Sequence, residues 1–223
     1  DVVYADEWSG DVVDPKPASF AYAYADLQTP PPISGVCATD WAPNCRIVIN
    51  YEQHIHPLWS LNREILDPDT MDVLDTTCTS CHTDTDAADA RQLPAGQLDL
   101  GDGPSPDEPL HFNAYRELLF PDNEQELVNG ALVDVLVDSG EVLEDEEGNP
   151  ILDAEGNVQP IMVTVPVQAS MSVNGARASN FFDVFAEGGT HKDFLTPSEL
   201  RLIAEWLDIG GQYFNNPFDA PED

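Results

Sequence analysis

The chain has 223 residues, of which 42 are Asp or Glu and only eight are Lys or Arg, giving a formal net charge of −34. This charge excludes nucleic acid and anionic membrane surfaces as partners, because phosphate contacts require clustered basic residues. Hydrophobic residues make up 42% of the chain, which indicates a folded core, yet no stretch reaches the roughly 20 apolar residues of a membrane-spanning helix.

Residues 1–35 are predicted to form an extended N-terminal arm. Aromatic and small residues alternate over residues 19–27, as they do in a strand, and three prolines at 30–32 then break the pattern. Such an arm packs either on its own domain or on a neighbouring copy, and the second arrangement would build a homo-oligomer or filament. The rest of the chain is predicted to be one domain over residues 36–218, followed by an acidic tail at 219–223.

The domain is predicted to be mainly α, because helical patterns occur in four segments. A short run before the first of these segments resembles a strand. The C-terminal segment is the best marked, since Thr196 and Glu199 can form a capping box and Pro197 occupies the first helical position. Residues from about 130 to 168 alternate apolar and polar side chains between glycine turns, which predicts an inserted β-hairpin or small meander. The four helical segments are 51–58, 112–120, 176–187 and 197–209, and the strand-like run is 46–50.

The sequence CTSCH at residues 78–82 is the CxxCH signature of covalent haem c attachment. The thiols of Cys78 and Cys81 have the spacing that reaches the two vinyl groups of one porphyrin, and His82 then binds the iron as proximal ligand. A redox dithiol would need a βαβ context, and half of a zinc site would need two further ligands at regular spacing. Neither feature is visible in the sequence. The motif therefore predicts one covalent haem c and an electron carrier rather than an enzyme.

Three segments resemble the cytochrome c domain of hydrazine synthase alpha subunits and their relatives: CRIVINYEQHIHPLW, CTSCH and THKDFLTPSELRLIAEWLDIGGQYFNNPF. The resemblance covers about residues 36–120 and 170–218, outside the arm and the predicted hairpin. It implies a fold like that of class I cytochromes c, in which a helix before the haem, the haem helix and a C-terminal helix pack together. It does not imply hydrazine synthesis, because that activity needs several haems and this chain has one haem motif.

The resemblance also places the distal iron ligand in the loop before the C-terminal helix. That loop reads GGTHKDFL and contains His191 but no methionine, so His191 is the expected ligand and Met171 the main alternative. A histidine pair gives a closed iron with a lower reduction potential than a His/Met pair, whereas an open position would favour a peroxidase-like or oxidase subunit. The remaining candidate ligands are His54, His56, His111, Met71 and Met162.

Cys37 and Cys45 enclose seven residues and are predicted to form a disulfide, as expected in an oxidising compartment. Since the first residue is Asp1 rather than Met, we expect a mature periplasmic or extracellular chain after removal of a signal peptide. Its expected partners are redox proteins or an extracellular electron acceptor. The acidic loops offer carboxylates to Ca²⁺, but none follows the EF-hand order, so no calcium site is assigned.

Overall fold

The structure, a computed structural model, describes residues 24–40, 42–66 and 70–216, and 27% of these are helical and 20% are in strands. This is a mixed α/β architecture, so the prediction of a mainly α fold was wrong. The α-helices are α1 (Gly35–Thr39), α2 (Pro57–Ser60), α3 (Cys78–Cys81), α4 (Asn113–Leu119) and α5 (Pro197–Asp208). The strands are β1 (Glu64–Leu66), β2 (Val73–Asp75), β3 (Asp122–Asn123), β4 (Gln125–Val128), β5 (Ala131–Asp134), β6 (Leu136–Val142), β7 (Pro160–Thr164) and β8 (Pro166–Val167). All the strand pairs are antiparallel.

Most helices are short because turn-forming residues interrupt the helical patterns. The predicted helix at 51–58 is a π-helical turn, Tyr51–Ile55, followed by α2, which starts at Pro57. The predicted helix at 176–187 is two 3₁₀ segments, Ala176–Ala178 and Asn180–Phe185. The run at 46–50 is extended but pairs with no strand in the described chain. The sequence pattern therefore overestimated the length of the helices at 51–58 and 176–187.

The core lies between the segment before the haem motif, α4 and α5. Tyr51 packs against Trp206 of α5, which has no exposed surface, and Trp59 is buried in the same cluster. The predicted capping box is confirmed: the Thr196 hydroxyl accepts a hydrogen bond from the Glu199 N–H (3.3 Å), and the Glu199 carboxylate accepts one from the Thr196 N–H (2.8 Å). This cap fixes the start of α5.

The predicted disulfide is confirmed, since Cys37 in α1 is bonded to Cys45 with a Cα–Cα distance of 5.7 Å. At the described end of the predicted arm, Tyr24 packs against the core and donates a hydrogen bond to Glu205 of α5 (3.0 Å). The rest of the aromatic stretch, including Phe20 and Tyr22, lies outside the described residues. Among the described residues, no helix is long and apolar enough to cross a membrane.

Residues 122–167 form a branched β structure, called here the branched ribbon. Strands β3 and β8 pair as its stem, and β4–β5 and β6–β7 are two ribbons that leave the stem together. Three backbone hydrogen bonds close the branch point in a ring: Glu124 N–H to Val165 O (2.7 Å), Val165 N–H to Val135 O (3.3 Å) and Val135 N–H to Glu124 O (2.8 Å). The β insertion is thus more elaborate than a single hairpin.

The β6–β7 ribbon ends in a second branch point of the same kind. The backbone groups of Leu143, Ile151 and Gln159 bond in a ring, with distances of 2.7–3.0 Å. Two turns leave this point, and each has the sequence Asp-x-Glu-Gly-Asn. In both turns the aspartate Oδ1 accepts backbone N–H groups at 3.0 and 2.8 Å, from Asp145 in one and Asp153 in the other. The tip of the ribbon therefore contains two copies of the same turn, spaced eight residues apart.

Candidate haem site

The two motif cysteines lie on α3, a single helical turn between β2 and a long loop. The N–H of His82 donates to the Cys78 carbonyl (2.9 Å), so the histidine follows the turn directly. Both thiols are free, with Cys78 half-buried against the core and Cys81 exposed. Burial raises the pKa of the Cys78 thiol. The pair thus offers one attachment point inside the protein and one at its surface.

His82 and His191 lie next to each other although they are 109 positions apart in the sequence. Their ring centroids are 6.0 Å apart and the ring planes are inclined by 36°. Two imidazoles that bind one metal ion from opposite sides, with metal–nitrogen bonds of about 2 Å, have ring centroids about 6 Å apart. The spacing therefore fits two axial ligands of one iron. The structure brings together the two histidines that the sequence assigned to this role.

The ring nitrogens of this pair are also suited to metal binding. His191 Nδ1 contacts the Thr190 hydroxyl at 2.8 Å, which in the tautomer with a proton on Nδ1 leaves the Nε2 lone pair for a metal. His82 Nδ1 is buried and has no hydrogen-bond partner in the described chain. The Leu98 and Ala95 carbonyls favour the charged ring, but neither forms a hydrogen bond with Nδ1. The site thus contains a buried polar atom that the polypeptide does not satisfy.

Burial lowers the pKa of both histidines, and for His82 the nearby His191 adds a second, smaller lowering effect. Both rings are therefore neutral at pH 7, which is the form that binds iron. Aromatic side chains lie next to this pair. Phe185 and Phe194 lie 5.8 and 5.1 Å from the His191 ring, and Phe181 extends the apolar wall towards the core. The histidine pair therefore lies beside a partly buried aromatic cluster.

The position of His191 depends on a close approach of two backbone segments. Its N–H donates to the Val184 carbonyl (2.8 Å), which folds the loop back on the 3₁₀ segment Asn180–Phe185. A Cβ atom added to Gly189 would lie 2.2 Å from the same Val184 oxygen. Only glycine fits there without moving the backbone. Sequence reasoning missed this role of Gly189, although the GlyGly pair two residues before His191 was a visible signal.

None of the family models, curated proteins or solved structures matches this chain. The resemblance to the cytochrome c domain of hydrazine synthase alpha subunits therefore stays a hypothesis based on sequence patterns. The described residues contain no group of three or more His, Cys, Asp or Glu side chains arranged to hold a metal ion on their own. A haem iron needs only two protein ligands, because the porphyrin supplies the others. Binding of Ca²⁺ by the acidic loops stays a hypothesis without an assigned site.

A buried ion pair lies beside the attachment turn. Arg63 Nη2 and Glu199 Oε1 are 2.6 Å apart, and their side chains are only 11% and 2% exposed. Arg63 also donates to the Leu58 carbonyl (2.6 Å), and the charges of both partners act on the pKa of Cys78. The pair thus links the start of α5 to the segment that enters the CxxCH turn. The sequence predicted the capping role of Glu199 but not its partner, which is 136 residues away.

The other candidate ligands have different settings. The N–H of Asn50 donates to His54 Nδ1 (3.0 Å), and the ring of His111 stacks on Tyr213 at 4.1 Å. Met171 is buried in the core, where its N–H donates to the Leu118 carbonyl (2.7 Å). The remaining three are His56, with Nε2 3.4 Å from the Gly101 carbonyl, and the exposed Met71 and Met162. Of the candidate distal ligands, His191 is the one whose ring lies next to the His82 ring in the described chain.

A cavity of about 580 Å³ lies on the outer face of α5, away from the motif cysteines. Phe182, Leu200 and Ala204 form its apolar lining, and Arg177 and Arg201 lie among its polar residues. Neither histidine of the candidate site lines this space. We therefore place the candidate haem site at the histidine pair rather than at this cavity.

Proposed function

We propose that the protein is a monohaem c-type cytochrome that transfers electrons. Cys78 and Cys81 would hold the haem covalently, and His82 and His191 would be its axial ligands. When bound, the haem supplies a one-electron redox centre. The observation that carries this proposal is the 6.0 Å separation of the two histidine rings, which fits two ligands on one iron.

The surrounding residues suit electron transfer better than catalysis. With His82 and His191 both bound to the iron, a small substrate would have no open coordination site. Phe185 and Phe194 pack beside the His191 ring, and burial lowers its pKa and so favours its neutral form. Because Cys81 is exposed, a group bonded to it starts at the protein surface, where a redox partner can approach.

We further propose that the protein works outside the cytoplasm, where its disulfide is stable. Its partners there would be redox proteins or an extracellular electron acceptor. Assembly of copies through the N-terminal arm into a conduit stays a second hypothesis. The net charge of −34 opposes close contact between copies, so such assembly should require salt or Ca²⁺ to screen the carboxylates.

The test uses the purified haem protein and its His191→Ala variant, with His111→Ala as the matched control. We expect acid acetone to leave the haem on the wild-type chain, and the spectrum to be low-spin without the methionine–iron band near about 695 nm. Carbon monoxide should bind to the reduced His191→Ala protein but not to the wild type or the His111→Ala protein.

Rapid binding of carbon monoxide by the reduced wild-type protein would show an open iron and favour the redox-enzyme alternative. A band near about 695 nm would instead indicate a methionine ligand and make Met171 the next residue to replace. Haem that is extracted by acid acetone would contradict covalent attachment altogether. The three measurements therefore test attachment, ligand identity and function class separately.

A further inference from the structure

The branched ribbon exposes an unusual amount of apolar surface. No residue from 122 to 167 is buried, and twelve large aliphatic side chains each leave between 37% and 55% of their surface exposed. These are Leu127, Val128, Val133, Leu136, Val137, Val142, Leu143, Ile151, Leu152, Val158, Met162 and Val163. They lie on both faces of the ribbons, because successive strand residues such as Leu136 and Val137 point to opposite sides, and exposed apolar side chains on this scale are unusual for an uncovered surface. Such a surface is typical of an interface.

The strand arrangement of the ribbon also indicates a binding surface. Its arms are two-stranded sheets, and an isolated two-stranded ribbon is marginally stable in water. In the described chain, β6 and β7 pair only with each other, so each has an outer edge with unpaired backbone groups. Exposed edges of this kind accept an added strand from a partner. A partner would therefore cover both the apolar side chains and the open edge.

The charge of the ribbon identifies the kind of partner. Residues 122–167 contain twelve Asp or Glu and no Lys or Arg, while the other 177 residues hold all eight basic residues of the chain. A second copy is a poor complement, because its own net charge is −34. A basic surface would be attracted to the ribbon, and its apolar centre would then cover the aliphatic side chains.

We propose that the branched ribbon is the docking surface for a cationic protein partner that adds a strand to the β6–β7 edge. The partner's segment alternates basic and aliphatic residues, so that its aliphatic side chains pack on the ribbon and its basic ones face the carboxylates. This proposal concerns a surface distinct from the histidine pair and does not rest on the presence of haem. It goes beyond electron transfer by assigning a binding role to the β insertion.

The probe is a synthetic eight-residue peptide of alternating Val and Lys, with an alternating Val and Glu peptide for comparison. The test variant replaces the cross-strand pair Val137 and Val163 by Thr, which keeps the β-branched shape but adds a hydroxyl. The matched control replaces the exposed cross-strand pair Leu66 and Val73 of the β1–β2 hairpin by Thr. Binding is measured by isothermal titration calorimetry on the full chain, and circular dichroism verifies that each variant is folded.

We expect the Val/Lys peptide to bind the wild type and the control variant alike, and the Val137→Thr/Val163→Thr protein about tenfold more weakly. Binding should weaken further at high salt, because the attraction is partly ionic. Equal affinity for the Val/Glu peptide, or equal affinity for both Thr variants, would overturn the proposal. Self-association of the wild type that the Val137→Thr/Val163→Thr change abolishes would also overturn it, since the occupant would then be a second copy.

Discussion

Replacement of Gly189 by Ala tests how the fold positions His191. An added Cβ would lie 2.2 Å from the Val184 oxygen, 2.5 Å from the Val184 carbonyl carbon and 2.7 Å from the Asp183 oxygen. All three are backbone atoms, so no side-chain rotation relieves the contacts. The Val184 oxygen is also the acceptor for the His191 N–H. The substitution therefore acts directly on the hydrogen bond that anchors the ligand.

The expected displacement follows from these distances. Real Cβ atoms essentially never approach other heavy atoms closer than 3.0 Å, so the backbone at Val184 and Gly189 must separate by about 0.8 Å. Metal–ligand distances tolerate changes of only about 0.2 Å. We therefore expect the loop to shift by more than the iron–His191 bond allows, and the distal ligand to be lost or weakened. Covalent attachment should survive, because the motif cysteines lie on a different segment.

Optical and electron paramagnetic resonance spectra of the purified haem protein measure this effect. The Gly189→Ala protein should show high-spin iron and bind carbon monoxide when reduced, with nearly unchanged circular dichroism. Gly188→Ala is the matched control: it places Ala in a left-handed conformation (φ 83°), at a cost of about 1–2 kcal/mol, but no atom lies within 4 Å of the added carbon. A Gly189→Ala protein that stays low-spin and excludes carbon monoxide would refute this reasoning.

Three further predictions concern stability. Arg63→Met leaves the buried Glu199 carboxylate without its ion-pair partner, so we expect the free energy of unfolding to fall by about 3–5 kcal/mol in urea titrations. The double variant that adds Glu199→Gln should recover part of this loss. An unchanged urea midpoint for Arg63→Met would contradict the prediction. Burial and nearby carboxylates raise the pKa of Glu117 to about 7 in the folded protein, so its contribution to stability is full at low pH and is lost as the pH rises through about 7. Glu117→Gln should therefore gain stability relative to the wild type between pH 4.5 and pH 8, and parallel stability curves would exclude this effect. Replacing both Cys37 and Cys45 by Ser should lower the free energy of unfolding by about 2–3 kcal/mol through the entropy of the opened loop, and equal melting temperatures would argue against it.

The parts of the fold that could be predicted from sequence are those with local causes. Helix α5 begins where Thr196, Pro197 and Glu199 indicate, because a capping box involves residues only three positions apart. The 3₁₀ segments at 176–185 could not be distinguished from one helix, since the spacing of their phenylalanines suits either. Their form depends on contacts with the following loop, and sequence spacing does not report such contacts.

The ribbon was predicted as β structure, but its branching was not. Alternation of apolar and polar residues is a local signal, whereas the rings of backbone hydrogen bonds join residues far apart in sequence, such as Glu124 and Val165. The repeated Asp-x-Glu-Gly-Asn turns starting at Asp145 and Asp153 are a signal that predicts two small hairpins at the tip. In the candidate site, the CxxCH spacing is local, but the Arg63–Glu199 pair depends on the tertiary fold.

The start of α5 connects the candidate ligands to the stability of the whole domain. Glu199 accepts the N–H of Thr196, which ends the loop that carries His191, and it also pairs with Arg63, in the segment that leads to the CxxCH turn. One buried carboxylate thus holds the polypeptide on both sides of the histidine pair. Trp206 lies two turns along the same face of α5 and is fully buried, so the carboxylate that holds both segments lies on the face of α5 that packs into the core. This explains how a domain with such short helices can hold two rings 6.0 Å apart while its charge favours expansion.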